Sequence, residues 1–191
     1  MNWLPDYNII LASKSPRRQE LLASLGIQFS VKTKEVDEVY PQELAKEEVA
    51  VYLAELKAKA FQNDLNENEL LITADTIVCL GQEILGKPAD YKDAYAMLEK
   101  LSGRHHEVIT GVCLTTLNKS VSFFAQTDVQ FKALTHHEID YYIREFSPYD
   151  KAGSYGIQEW IGAIGITNIN GSFYNVMGLP VQKLYQEILN F

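Results

Sequence analysis

The sequence has few cysteines and no long apolar run. Its 191 residues include only two cysteines, Cys79 and Cys113, and neither belongs to a C-x-x-C motif. Both lie in apolar, strand-like stretches, which predicts buried reduced thiols instead of a disulfide or a metal site. No apolar stretch approaches the length of a membrane span, and residues 1–7 lack the basic and then apolar pattern of a signal peptide. We therefore expect a cytoplasmic protein that has no membrane partner.

Positive charge is also scarce. The chain has 17 Lys and Arg against 25 Asp and Glu, which gives a net charge of −8. Proteins that bind polymeric nucleic acid need a broad basic surface to displace counterions, so the composition argues against such a ligand. A small polyanion, in contrast, needs only a local basic site. The length and the 47% of hydrophobic residues suffice for one large domain or two closely packed lobes.

Apolar, strand-like stretches alternate with helical patterns along the chain, which predicts an α/β fold. No repeat, low-complexity tract or flexible linker divides it, so we expect a single domain over residues 1–191. Hairpins are predicted at the Gly-Gln pair 81–82 and, as a type I′ turn, at the Asn-Gly pair 170–171. The histidines lack the spacing and the cysteine companions of a zinc site. We expect all four at the surface or in helix caps: His105, His106, His136 and His137.

A turn from a strand into a helix begins at Ser13, with the residues Ser-Lys-Ser-Pro-Arg-Arg. Ser15 suits the N-cap, and Pro16 suits the first helical position. Arg17 and Arg18 then fall in the first turn, where the helix dipole already presents partial positive charge. An anion at this turn would meet free backbone N–H groups, the serine hydroxyls and both guanidinium groups. Phosphate binding is one interpretation, and a pair of arginines on a solvated helix surface is the other.

Three further charged residues lie beside apolar stretches. Lys57 is at the edge of the buried stripe of a helix predicted over 43–62, where it either covers apolar surface or reaches into a cleft. Asp75 has strand residues on both sides, so its charge needs a partner. It either has a structural role, in a turn or with a lysine, or binds a metal and handles a proton. Lys87 precedes Pro88, either as an ordinary loop lysine or as one held near Asp75.

Two loops carry more polar groups. Glu35, Asp37 and Glu38 form an acidic loop that is either solvated or a source of oxygen ligands for a hard divalent cation. A glycine-rich stretch contains Lys151 and Gln158, a positive charge and an amide able to read the edge of a base, unless it merely connects a helix to a strand. In so acidic a chain, these basic groups and one buried carboxylate most simply suggest a triphosphate site with a metal.

Six motifs stand in order along the chain. They are Ser-x-Ser-Pro-Arg-Arg-x-Glu-Leu-Leu at 13–22, Ala-Asp-Thr-Ile-Val at 74–78, Leu-Gly-Lys-Pro at 85–88, Leu-Ser-Gly-Arg at 101–104, Asp-Lys-Ala-Gly-Ser-Tyr-Gly-Ile-Gln at 150–158 and Val-Met-Gly-Leu-Pro at 176–180. Together they resemble the Maf family of nucleoside triphosphate pyrophosphatases, also called septum formation inhibitor proteins. The resemblance runs from about Ile9 to the last residue.

The resemblance implies a two-lobed α/β fold, a mixed sheet with flanking helices similar to the inosine triphosphate pyrophosphatases, with the active site in the central cleft. The implied reaction converts a nucleoside triphosphate (dTTP, UTP or a modified pyrimidine nucleotide) to the monophosphate and pyrophosphate, with Mg²⁺ or Mn²⁺ as cofactor. Asp75 matches the proton acceptor, and Glu35 is the candidate second metal ligand beside it. Thr76 and Gln158 match the specificity positions. The positions that would hold phosphates are Ser13, Arg17, Arg18, Lys57, Lys87 and Lys151.

Within the family, Arg17, Thr76 and Gln158 resemble the branch that acts on dTTP and UTP, whereas the branch that acts on 7-methyl-GTP carries Trp in place of Arg17. Glu159 and Trp160 depart from the Gly and basic residue of many members, at the rim of the base pocket. A 7-methyl-GTP pyrophosphatase is one alternative. Another is a non-catalytic, nucleotide-binding regulator of septum formation, which the water-activating carboxylate disfavours. Whether the chain forms a homodimer is open.

Overall fold

The structure is a computed structural model that describes residues 7–191, and it contains one mixed sheet with flanking helices. The strands are β1 (Asn8–Leu11), β2 (Phe29–Val31), β3 (Glu69–Leu80), β4 (Glu83–Leu85), β5 (His105–Thr115), β6 (Ser120–Phe131) and β7 (Ile166–Asn170). The helices are α1 (Pro16–Ser24), α2 (Lys46–Lys59), α3 (Tyr91–Leu101), α4 (His136–Phe146), α5 (Trp160–Gly165), α6 (Phe173–Met177) and α7 (Val181–Asn190), with a short 3₁₀ turn at Ala152–Ser154. The predicted α/β class is confirmed.

The sheet has the strand order β2-β1-β3-β5-β6-β7, and β4 pairs with β3 outside this path. Strand β1 runs parallel to both neighbours, with Ile9 opposite Phe29 on one side and Leu70 on the other. Strands β3 and β4 are antiparallel and join at Gly81, whose φ of +62° suits glycine, so the predicted hairpin is confirmed. Strands β6 and β7 are also antiparallel, which makes the sheet mixed.

The chain divides into two compact units. Of the residues that the structure describes, the first comprises 7–75, 110–125 and 178–191, and the second comprises 76–109 and 126–177. Each has its own buried apolar cluster, built in the first around Ile10, Ala54, Phe61 and Leu71 and in the second around Leu98, Val129, Phe131 and Tyr142. Cys79 and Cys113 are buried thiols, as predicted. Among residues 7–191, no helix is long and apolar enough to cross a membrane.

The predicted hairpin at Asn170-Gly171 is wrong, because helix α6 follows β7 instead of another strand. A type I′ turn needs positive φ at both central residues, and of these two only Gly171 has one. Gly171 is needed here for a close approach: a Cβ would lie 2.7 Å from the Thr127 hydroxyl. That hydroxyl accepts the Ser172 N–H at 3.0 Å and turns the chain toward α6.

Helix α2 lies with its backbone directly against the sheet. A Cβ added to Gly111 in β5 would lie 2.2 Å from the carbonyl oxygen of Ala50 and 2.5 Å from the amide nitrogen of Val51, so only glycine fits. A second contact comes from β3, where the buried Thr73 hydroxyl donates to the carbonyl oxygen of Ala54 at 2.7 Å. These contacts fix the position of α2 relative to β3, and therefore the position of Lys57, one turn further along the helix.

Gly111→Ala is expected to lower the free energy of unfolding by at least about 1–3 kcal/mol, because the added methyl group meets backbone atoms that cannot rotate away. Urea unfolding of the variant and the wild type measures this. Gly86→Ala is the matched control, since a Cβ at Gly86 meets no atom within 4 Å. Equal losses in the two variants would contradict the close approach of α2.

Candidate active site

The turn between β1 and α1 is built as the sequence predicts. Ser15 is the N-cap, its hydroxyl accepts the Arg18 N–H at 3.5 Å, and Pro16 is the first helical residue. The buried Ser13 hydroxyl accepts the Ser15 N–H at 3.2 Å. Two serine side chains thus hold the turn in place, and Arg17 and Arg18 both fall in the first helical turn.

The Arg18 side chain contacts the backbone of a distant part of the chain. Its Nε donates to the carbonyl oxygen of Gly178 at 2.7 Å. Burial lowers the pKa of Arg18, whereas the negative charges of Asp75 and Glu38 act in the opposite direction. The guanidinium group is therefore within electrostatic reach of both carboxylates.

Lys57, Asp75 and Glu38 form a compact charged group, the Asp75 cluster. The Lys57 ammonium makes an ion pair with the Asp75 carboxylate, and its Nζ lies 2.8 Å from Oε1 of Glu38. Lys57 and Asp75 are both mostly buried, while Glu38 is 41% exposed. The partner that the Asp75 charge requires is thus a lysine, and Lys57 does more than cover apolar surface.

The acidic loop contributes Glu38, and not Glu35, to the Asp75 cluster. Glu35 is 93% exposed, and its Oε1 lies 3.4 Å from Nζ of Lys14. Among residues 7–191, no group of three or more histidine, cysteine or carboxylate side chains is arranged to hold a metal ion. The sequence marks the loop as acidic but gives no signal for which carboxylate turns inward, because that depends on the course of a loop without regular structure.

Asp75 and Glu38 are nevertheless suited to a hard divalent cation. Their oxygens converge on one positive charge, the Lys57 ammonium. Mg²⁺ typically takes only one or two protein carboxylates and completes its shell with water and substrate phosphates. The donor set therefore fits Mg²⁺ or Mn²⁺ without a third carboxylate.

The second unit contains the Lys151 segment, residues 150–159. Lys151 is buried, and its Nζ lies 2.7 Å from Oδ1 of Asp150 and 3.1 Å from Oε1 of Glu159. The Gly153 N–H donates to the carbonyl oxygen of Gly86 at 3.0 Å, which places the Lys151 segment beside the loop that carries Lys87. This hydrogen bond joins the backbones of the two segments that carry the lysines.

The remaining predicted residues lie at three places. Lys87 and Gln158 have exposed side chains, and Thr76 is half-buried in β3, directly after Asp75. The chain passes from the first unit to the second between Asp75 and Thr76. Ser13, Arg17, Arg18, Lys57 and Asp75 consequently belong to the first unit, as does Glu35, and Thr76, Lys87, Lys151 and Gln158 belong to the second.

The expectation of a surface or capping position is wrong for His106. The residue lies inside β5, which begins at His105, and is buried. Its Nε2 is 2.7 Å from the hydroxyl of Tyr155, and its ring stacks on Phe131 with centroids 5.4 Å apart. Tyr155 belongs to the Lys151 segment, so His106 anchors that segment to the sheet.

His106 should make the stability of the protein fall in mild acid. Burial, aided by the charge of His105, lowers the pKa of His106 to about 4, below the usual value of about 6.5 in an unfolded chain. Between these values the unfolded chain binds more protons, so the free energy of unfolding falls as the pH drops, by about 3 kcal/mol in total. Urea unfolding between pH 7 and pH 4 should show this slope, and His106→Gln should reduce it. His137→Gln, at an exposed histidine, should keep it; an unchanged slope in His106→Gln would refute the assignment.

The ion pair between Lys57 and Asp75 should couple the two residues energetically. A double-mutant cycle with Lys57→Met and Asp75→Asn is expected to give a coupling free energy of about 1–3 kcal/mol in urea unfolding, because each single change removes an ion-pair partner from a mostly buried charge. The exposed pair Lys100 and Glu83 is the reference, where less than about 1 kcal/mol is expected. Equal coupling in both pairs would show that burial does not strengthen the Lys57 contact.

The chain is similar to known proteins over almost its whole length. A family model described as Maf-like protein matches residues 8–191. Proteins named dTTP/UTP pyrophosphatase are 58% identical in Phocaeicola vulgatus, 56% in Flavobacterium psychrophilum and 53% in Parabacteroides distasonis; the alignments cover 97%, 95% and 98% of this chain and 96%, 93% and 98% of the relatives. Among solved structures, the Staphylococcus aureus Ham1 protein matches 65% of this chain and 71% of its own at 16% identity, with a TM-score of 0.48. By the family match and these identities, the chain belongs to the Maf family.

Proposed function

We propose that this protein hydrolyses nucleoside triphosphates, with dTTP and UTP as substrates, to the monophosphate and pyrophosphate. Its relatives that carry the name dTTP/UTP pyrophosphatase match it end to end at more than half of all positions. The observation that carries the proposal is the Asp75 carboxylate, held by the Lys57 ammonium within reach of the Arg18 charge. A carboxylate that is held in place by cations can orient and deprotonate a water molecule beside a bound polyanion.

Asp75 is the proton acceptor in this proposal. Its carboxylate orients a water molecule and takes one of its protons while the water oxygen bonds to the α phosphorus. The bond from that phosphorus to the oxygen bridging the α and β phosphates breaks, and this oxygen leaves with pyrophosphate. Lys57 keeps the carboxylate in one position, so that the water is held in line with the leaving group.

Positive groups bind the phosphates. At the start of α1, the backbone N–H groups of the first turn and the guanidinium groups of Arg17 and Arg18 favour an anion, with the Ser13 hydroxyl beside them. Lysine side chains add charge that offsets the negative charge growing on the phosphoryl oxygens; these are Lys57, Lys87 and Lys151. Thr76 and Gln158 would select the base, for which the Gln158 amide offers both a donor and an acceptor.

A divalent cation, Mg²⁺ or Mn²⁺, would be held by Asp75. The resemblance suggests Glu35 as the second ligand, but Glu38 is the carboxylate that shares Lys57 with Asp75, and we favour it. When bound, the cation would neutralise phosphate charge and polarise the reacting phosphoryl group. The cytoplasmic location stays a prediction, and the oligomeric state stays open.

Pyrophosphate release from dTTP, UTP, CTP, ITP and 7-methyl-GTP with Mg²⁺ or Mn²⁺ tests the function directly. We expect turnover of dTTP and UTP, and a loss of about 10²–10⁴-fold in kcat for Asp75→Asn, because the proton acceptor is removed while the shape is kept. Turnover restricted to 7-methyl-GTP would reassign Thr76 and Gln158. Tight nucleotide binding without any pyrophosphate release would instead identify a non-catalytic regulator.

Two controls make this test specific. Asp75→Asn also disturbs the ion pair with Lys57, so its urea unfolding curve must show a folded protein under the assay conditions. Glu38→Gln and Glu35→Gln, compared over a range of Mg²⁺ concentrations, then distinguish the two candidate ligands. The variant that needs more Mg²⁺ for half-maximal activity identifies the carboxylate that holds the cation.

A further inference from the structure

Glu159 is the centre of a contact network in the second unit. Its Oε1 lies 3.1 Å from the Lys151 ammonium, and its Oε2 accepts a hydrogen bond from the Tyr142 hydroxyl. The two carboxylate oxygens thus have different, defined partners. One of these partners, Lys151, is a residue that binds phosphate under the proposed function.

 Tyr142 connects the Glu159 carboxylate to the backbone of the Lys151 segment. The hydroxyl donates to Glu159 and accepts the Gly156 N–H at 3.0 Å, so both of its hydrogen-bonding roles are used. Burial, together with the Glu159 charge, raises the pKa of Tyr142, so the hydroxyl keeps its proton and continues to donate. A Cβ added to Gly156 would lie 2.8 Å from Cδ of Glu159. The carboxylate is therefore packed against the glycine and held by the tyrosine.

Lys151 has compensating charge from both Asp150 and Glu159. A buried ammonium is costly unless an opposite charge stays close to it. Asp150 is the nearer, at 2.7 Å against 3.1 Å, but it is 59% exposed, so water screens its charge, whereas Glu159 is only 20% exposed. Glu159 is therefore the carboxylate whose charge water screens less.

We propose that Glu159 is a positioning residue that sets the anion affinity of Lys151. It holds the ammonium in place when no phosphate is bound, and its negative charge weakens the hold of Lys151 on a phosphate that arrives. The inference rests on the proposed function, in which Lys151 binds phosphate. It adds that this sequence has a built-in means to keep pyrophosphate, a product of the reaction, from binding too tightly.

Glu159→Gln separates the charge from the shape. The amide oxygen of glutamine can still accept from the Tyr142 hydroxyl, but the side chain no longer repels an anion. We expect the variant to bind inorganic pyrophosphate about three- to tenfold more tightly in titration calorimetry with Mg²⁺. With UTP as substrate, we expect a lower KM and no rise in kcat, because the change acts on binding and not on the reacting atoms.

A double-mutant cycle with Lys151→Gln shows whether the effect passes through the lysine. Once Lys151 is neutral, Glu159→Gln should leave pyrophosphate binding almost unchanged. Asp150→Asn is the matched control, because it removes a negative charge from the same ammonium at a more exposed position. Its effect should be smaller and should vanish in roughly 0.5 M salt. Glu83→Gln, at an exposed ion pair elsewhere in the same unit, controls for the change in net charge.

The outcomes are distinct. Weaker or equal pyrophosphate binding by Glu159→Gln would overturn the inference, as would tighter binding that persists in the Lys151→Gln background. If Lys151→Gln binds pyrophosphate as well as the wild type does, the phosphate-binding role given to Lys151 under the proposed function fails first, and the inference falls with it. Should Glu159→Gln not fold, Glu159→Ser removes the same charge, and the same tightening is expected.

Discussion

The ion pair between Lys57 and Asp75 is the constraint on which the proposed chemistry depends. A carboxylate inside a strand of apolar residues is stable only with a nearby positive charge, and helix α2 supplies it. The helix can approach because Gly111 has no side chain and because the Thr73 hydroxyl binds the helix backbone. Packing in the first unit therefore decides whether Asp75 is available as a charged, fixed group.

A buried charge that is paired with an opposite charge also occurs in the second unit. Lys151 is buried and, like Lys57, lies between two carboxylates, of which one is much better shielded from water than the other. Under the proposed function, a phosphate would compete with a carboxylate for the ammonium in both places. Such competition would limit the affinity for polyanions, and the carboxylates would keep the lysines ordered before substrate arrives, which would reduce the entropy lost on binding.

Local features were predictable because neighbouring residues determine them. The Ser15 cap and the turn at Gly81 both form as the sequence indicates. The wrong predictions concern residues whose structure depends on contacts with residues far away in the sequence. Asn170-Gly171 has the sequence of a hairpin turn, but Thr127 binds the next residue and redirects the chain, and a polar residue such as His106 is buried only because Tyr155 and Phe131 pack around it.

The sequence by itself determined the α/β class, the family and the identity of the charged residues, since strand and helix patterns and ordered motifs are properties of neighbouring positions. Only the tertiary structure decided which charges meet. It placed Glu38 instead of Glu35 beside Lys57, and Glu159 beside Lys151. The physical reason is that an ion pair depends on distance and burial, which are set by the packing of elements far apart in the chain.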